Sequence, residues 1–146
     1  MITKQFQGRI RFNCRFLQIC FCGFIYIQFA FSQPTQRVFY LGHSLINFEI
    51  PNMVQKMSDA SSSRLHTQRN IGNGANLSWH WTQRHTGQGD RWDTTLSNQQ
   101  FDKFIITEAI ALKAHLKWSN TYAYLDSFYN FAAKKSKQVK MYIYET

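Results

Sequence analysis

The segment "VFYLGHSL", Val38 to Leu45, runs four strand-forming residues into Gly42-His43-Ser44. A serine that follows a strand and precedes a helix can do one of two things. Its hydroxyl can cap the helix by accepting an N–H two or three residues on. Alternatively it can act as a nucleophile, because the free N–H groups of a helix start suit a developing oxyanion. Glycine at 42 suits the tight turn that either role needs. The α/β-hydrolase elbow G-x-S-x-G is not matched, since Ile46 holds its last position. His43 invites a Ser–His dyad, but neighbouring residues at a strand end point apart, so no direct bond between them is expected.

The elements that must position Ser44 follow from periodicity. "RVFYL", Arg37 to Leu41, predicts a strand. Ile50, Met53, Val54 and Met57 recur at i, i+3, i+4 and i+7, the stripe of an amphipathic helix, with Pro51 in its first turn. "RLHTQRN" predicts a second strand, and "KFIIT", Lys103 to Thr107, is apolar enough for the centre of a sheet. Tyr122, Leu125, Phe128, Tyr129 and Ala132 form a second helical stripe, with Lys134, Lys135 and Lys137 near its end. "QVKMYIYE" predicts a last strand. Residues 71–100, with four glycines and three tryptophans, read as a long ordered loop. The alternation of strand and helix predicts an α/β fold, a parallel sheet with flanking helices.

The first 32 residues read differently. Lys4, Arg9, Arg11 and Arg15 precede the apolar run Phe16 to Phe31, which leads to the small residues Ala30 and Ser32 before Gln33. A basic start, an apolar run and a small-residue site are the parts of a secretory signal. The run has 16 residues and includes Gln18 and Gln28, shorter than the roughly 20 that a membrane span needs. An uncleaved anchor is the alternative. The expected product is a chain starting at Gln33, secreted or periplasmic, with no stable membrane anchor. It would contain no cysteine, because Cys14, Cys20 and Cys22 all lie in the leader. Disulfides and thiolate zinc sites are thereby excluded from it.

Charge limits the partners. The chain carries +9 overall, but residues 33–146 hold 13 Lys/Arg against 8 Asp/Glu, a net of +5. This modest excess, with no glycine-rich phosphate loop, does not point to nucleic acid. His80 and His85 lack a nearby carboxylate pair, so no metal is expected. Trp79 and Trp81 suit either a platform that stacks on sugars or a plug for the core beneath the loop.

The stretch "FYLGHSLINFEIPNMVQKM" resembles the first block of the SGNH (GDSL-like) hydrolases, where a serine follows the first strand in a G-D-S-L type sequence; here His43 replaces the usual Asp. "NIGNGANLSWHW", Asn70 to Trp81, is similar to the second block, whose glycine supplies an oxyanion-hole N–H. Gly74 is the residue chosen for that role, and Gly72 the alternative. The third block should carry an Asn; Ile106-Thr107-Glu108 stands there, which leaves Glu108 as a candidate by position alone. The family's D-x-x-H is missing, as none of the five histidines has an Asp three residues before it. The resemblance therefore implies a flavodoxin-like parallel sheet, incomplete at its C-terminus. It implies a serine esterase or deacetylase acting on an acylated small molecule or carbohydrate without a cofactor. Ser44 would be its nucleophile, and Trp79 and Trp81 would contact substrate. A non-catalytic glycan-binding module on the same fold is the alternative.

If the leader is removed on export, N-terminal sequencing of the exported protein should begin at Gln33. A membrane-embedded chain that keeps Met1 would show an anchor instead.

Overall fold

A computed structural model describes residues 34–144; the leader expected over residues 1–32 lies outside them. Five strands form one sheet in the order β3-β2-β1-β4-β5. They are β1 (Gln36–Gly42), β2 (Leu65–Ile71), β3 (Gln88–Gly89), β4 (Lys103–Ile106) and β5 (Lys140–Ile143). The pairs β1–β2, β1–β4 and β4–β5 are parallel, whereas the two-residue β3 is antiparallel to β2. The sheet is thus mixed rather than wholly parallel, because the chain after β2 doubles back along its edge. Five helices flank it: α1 (Glu49–Ala60), α2 (Leu77–Thr82), α3 (Trp92–Asn98), α4 (Leu112–Trp118) and α5 (Thr121–Lys135).

Strand β1 is central and buried on both faces, which explains its unbroken apolar run. Its side chains alternate between two cores. Phe39 and Leu41 join Leu77, Trp92, Phe104, Phe128 and others on one face. Val38 and Tyr40 join Ile46 and Ile71 on the other, with Ile50 of α1 against them. The first core is aromatic. Trp92 lies 4.9 Å from Phe128 and 5.3 Å from Trp81, ring centre to ring centre. The edge-on geometry of most of these pairs matches the preference of ring quadrupoles.

This cluster explains where the expected loop of residues 71–100 departs from irregularity. It contains α2, β3 and α3. Both helices are short, six and seven residues, below the length at which helical periodicity shows. Burial of Leu77 and Trp92, not propensity, holds them in place.

The stripe expected on α1 also turns outward in part. Met53 and Met57 are 56% and 66% exposed, while Pro51 and Ser58 are buried. The cause is polar. Gln55 Nε2 donates to the Leu65 carbonyl (2.7 Å), and its Oε1 accepts the Thr67 N–H (2.9 Å). Together they satisfy the outer edge of β2, where β3 does not reach. Ser58 Oγ donates to the Ser63 carbonyl (2.9 Å). These bonds set the helix's rotation in preference to the methionines.

Replacing Trp92 with Ala should cost about 3–5 kcal/mol of stability, whereas Met57→Ala should stay within about 0.5 kcal/mol. Urea unfolding of the two variants would check the contrast; equal losses would mean that the methionine face is buried.

Candidate functional site

The parallel register brings the carboxyl ends of β1, β2 and β4 together. Gly42 is level with Ile71, and Leu41 with Ile106. The loops that leave these positions carry His43-Ser44, Gly72-Asn73-Gly74 and Thr107-Glu108. Strand β1 ends on glycine for a steric reason: a Cβ at 42 would lie 2.3 Å from the Thr107 methyl carbon. The strand therefore meets β4 at full closeness and then turns.

Ser44 is exposed and begins a turn over residues 44–48. Helix α1 starts only at Glu49, behind Phe48, which makes no side-chain cap bond. The N–H groups of Ile46 and Asn47, which a Ser44 cap would engage, both donate to the His43 carbonyl (3.1 and 3.2 Å). Asn47 takes a left-handed backbone, φ 45°, to complete the turn. Its side chain accepts the Phe48 N–H at 2.7 Å. Ser44 is thus not a helix cap, and its hydroxyl has no hydrogen-bond partner among the described residues.

His43 points the opposite way. It is buried, and its Nε2–H donates to the Glu108 carbonyl at 2.9 Å. Its Nδ1 faces the Leu45 N–H at 3.4 Å. The side chain ties the β1 loop to the β4 loop and is turned away from Ser44, as alternation at a strand end requires.

The two glycines divide their roles. The Gly72 N–H donates to the Gly42 carbonyl (2.8 Å) and extends the β1–β2 ladder by one bond. Gly74 sits in the left-handed region at φ 67°, with open space where a Cβ would be. Neither its N–H nor that of Ser44 has a partner among the described residues. Of the pair, Gly74 is the one with a donor to offer.

The sequence gives no warning of His80. Its spacing in α2 matches no motif, yet it is buried with both ring nitrogens facing oxygens. Nε2 lies 2.9 Å from the Gly42 carbonyl and Nδ1 3.1 Å from Asn70 Oδ1. Asn70 Nδ2 in turn donates to the Asp90 carbonyl (3.0 Å), and Trp92 Nε1 to the His80 carbonyl (2.9 Å). Burial pushes the His80 pKa down to about 4, although the Gly42 carbonyl and the Glu108 carboxylate favour the charged ring. The ring is therefore neutral near pH 7 and offers one N–H, which Gly42, the nearer oxygen, takes.

Glu108 is buried as well. Its Oε1 accepts the N–H groups of Leu77 (3.0 Å) and Ala109 (2.8 Å), and Oε2 accepts the Thr121 hydroxyl (2.7 Å). The carboxylate joins the starts of α2 and α5 to the end of β4. A negative charge at the first residue of α2 is favourable there.

The tryptophans separate. Trp81 plugs the aromatic core, stacked on Trp92, with the Arg84 guanidinium 5.1 Å from its centre. Trp79 is half-buried and stands edge-on to His80, 5.2 Å away. Of the other histidines, His66 lies at the amino-terminal end of β2, away from Ser44 along the strands, and His85 is exposed in a turn. His115 Nδ1 pairs with Ser119 Oγ (2.9 Å) within α4. Among the described residues no cluster of three or more His, Cys, Asp or Glu could hold a metal, and no helix is long and apolar enough to cross a membrane. The chain matches no protein-family model, no curated protein and no solved structure.

The depressed His80 pKa couples the site to stability. An unfolded chain protonates this ring near its ordinary 6.5, but the folded one waits until about 4. Proton uptake therefore favours unfolding across that window, and stability is lost as pH falls from 6.5 through 4. The loss amounts to about 3 kcal/mol. Urea midpoints measured from pH 7 to pH 4 should fall less in His80→Gln than in the unchanged chain. Parallel pH profiles would show that the ring takes up its proton equally in the folded and unfolded chain.

Proposed function

We propose that this chain carries the nucleophile and two backbone oxyanion donors of a serine ester hydrolase of SGNH type. The observation that carries the reading is the state of Ser44. It is an exposed serine, free of capping duty, at the carboxyl edge of the central parallel strand. In open α/β sheets ligands bind at that edge, where the chain switches from one side of the first strand to the other. Here the chain runs from β1 to β2 on one side and then to β4 on the other. Without the short β3, the parallel strands follow the order β2-β1-β4-β5. This order supports a flavodoxin-like arrangement, in which the first strand lies between the second and the third.

On this reading the Ser44 oxygen attacks the acyl carbon of an ester. The N–H groups of Ser44 and Gly74 receive the charge that develops on the carbonyl oxygen. Left-handed Gly74 leaves the space above it clear for the acyl oxygen. Acylated carbohydrates are the substrate class, with half-buried Trp79 available to stack on a sugar ring, and the site of action is outside the cytoplasm. Glu108 does not serve as the base of Ser44, because the hydrogen bonds of its carboxylate go to Leu77, Ala109 and Thr121 and none reaches Ser44. No histidine among the described residues bonds to Ser44. His43 holds the Glu108 carbonyl, and His80 holds Gly42.

A serine without its base loses most of its activation, on the order of 10⁴-fold or more in rate. The chain alone should therefore hydrolyse p-nitrophenyl acetate barely faster than its Ser44→Ala variant. Prolonged exposure to a fluorophosphonate should still label the Ser44 peptide, and Ser44→Ala should abolish that label. Fast hydrolysis that disappears in Ser44→Ala would place a base within these residues. Absence of any label at Ser44 would overturn the nucleophile itself.

A further inference from the structure

Beyond the Ser44 loop, at the carboxyl ends of β4 and β5, lies a cavity of about 90 Å³. Leu112, Leu116 and Leu125 supply its aliphatic walls, and Tyr122 and Tyr144, 67% and 44% exposed, face solvent. Glu108 also lines it, and Glu108 is only 5% exposed.

The charge on Glu108 is incompletely compensated. Three donors reach it, two on Oε1 and one, the Thr121 hydroxyl, on Oε2. An ionised carboxylate accepts about four, so Oε2 keeps room for another donor. Among the described residues no Lys or Arg pairs with it. Among the described residues the one ion pair is Arg91 with Asp93, on the surface. A buried carboxylate without a cation is costly, and a ligand that brings a positive charge relieves that cost. The tyrosine rings at the solvent side suit a cation in passage, and the leucines suit a short hydrocarbon tail. An anion would meet like charge here, and a neutral alkyl group would leave the carboxylate unpaired.

We propose that this cavity binds a primary alkylammonium group, its nitrogen donating to Glu108 Oε2 and its chain lying among the leucines. A cavity of 150 Å³ accommodates the six carbons of benzene, so at the same filling this one, about 90 Å³, holds roughly three or four heavy atoms, and the end of a butyl chain reaches out toward the tyrosines at its mouth. The site is independent of the esterase reading, since it uses neither Ser44 nor Gly74.

The test is a methyl-detected NMR titration of the full chain at pH 7 with n-butylammonium chloride, n-butanol and sodium butyrate, at equal ionic strength. Butylammonium should shift the Leu112, Leu116 and Leu125 methyl signals saturably. Butanol should bind at least tenfold more weakly, and butyrate should leave the signals in place. Leu116→Phe, at a half-buried position, should fill the cavity and abolish the shifts with the urea midpoint unchanged. Glu108→Gln, if it folds, should reduce butylammonium binding to the level of butanol. Absence of saturable shifts with butylammonium would overturn the site. Butanol or butyrate binding as tightly as butylammonium would overturn the part assigned to the carboxylate. The ligand series on the unchanged chain decides both points even if neither variant folds.

Discussion

The carbonyl of Gly42 accepts two hydrogen bonds, from the Gly72 N–H at 2.8 Å and from His80 Nε2 at 2.9 Å. The arrangement of the sheet's carboxyl edge depends on this one oxygen. The first bond fixes where β2 ends relative to β1, and so where Gly74 stands. The second draws α2 over the strand tips. Both partners are buried, so loss of either would leave a polar group unpaired in a low-dielectric interior, at a cost of about 1–3 kcal/mol. The turn that presents Ser44 begins on the next residue. Its placement is inherited from a carbonyl that cannot move without breaking two buried bonds.

A second polar centre, Glu108, works beside the first. Its carboxylate holds the starts of α2 and α5, while its carbonyl accepts from His43. Thus α2 is pinned twice: at its first residue by Glu108 and near its end by His80. A six-residue helix has little stability of its own. Two buried polar anchors and the Trp81–Trp92 stack account for its order. Polar groups specify where the elements sit, and the aromatic cluster supplies the burial that holds them there.

The sequence made the regular framework legible where periodicity was long. The four main strands and the two long helices, α1 and α5, are where alternation and helical stripes predict them. The position of Ser44 just past a strand end was legible because a glycine-bounded strand end followed by a helix stripe is a local pattern. What stayed hidden depends on contacts between distant positions. His80 reads as an isolated surface residue until Gly42, 38 positions away, is folded onto it. Glu108 stands where an Asn was expected, and its partners Leu77 and Thr121 lie 31 and 13 positions away. The outward turn of Met53 and Met57 could not be read from their spacing, because it is set by Gln55 serving as a surrogate strand for β2. In each case a long-range polar bond overrode a local pattern.

The two faces of β1 are unequal, and the site straddles them. Gly74 leads into α2, which packs on the aromatic core with Leu77 fully buried. Ser44 leads into α1, whose side has a smaller core of four buried residues and relies on Gln55 and Ser58 for polar contacts. Local opening draws on the regions with least buried apolar surface, so the α1 side is the one that opens first. Gly74 is then on the fixed side of the strand ends, and the Ser44 turn on the adjustable side. Asn47, held left-handed at φ 45° between them and α1, is the joint at which that adjustment is absorbed, because its short polar side chain tolerates a backbone that most residues avoid. On the esterase reading proposed above, a nucleophile on the yielding side and a donor on the rigid side would let the serine approach an ester while the pocket for its oxygen stays in place.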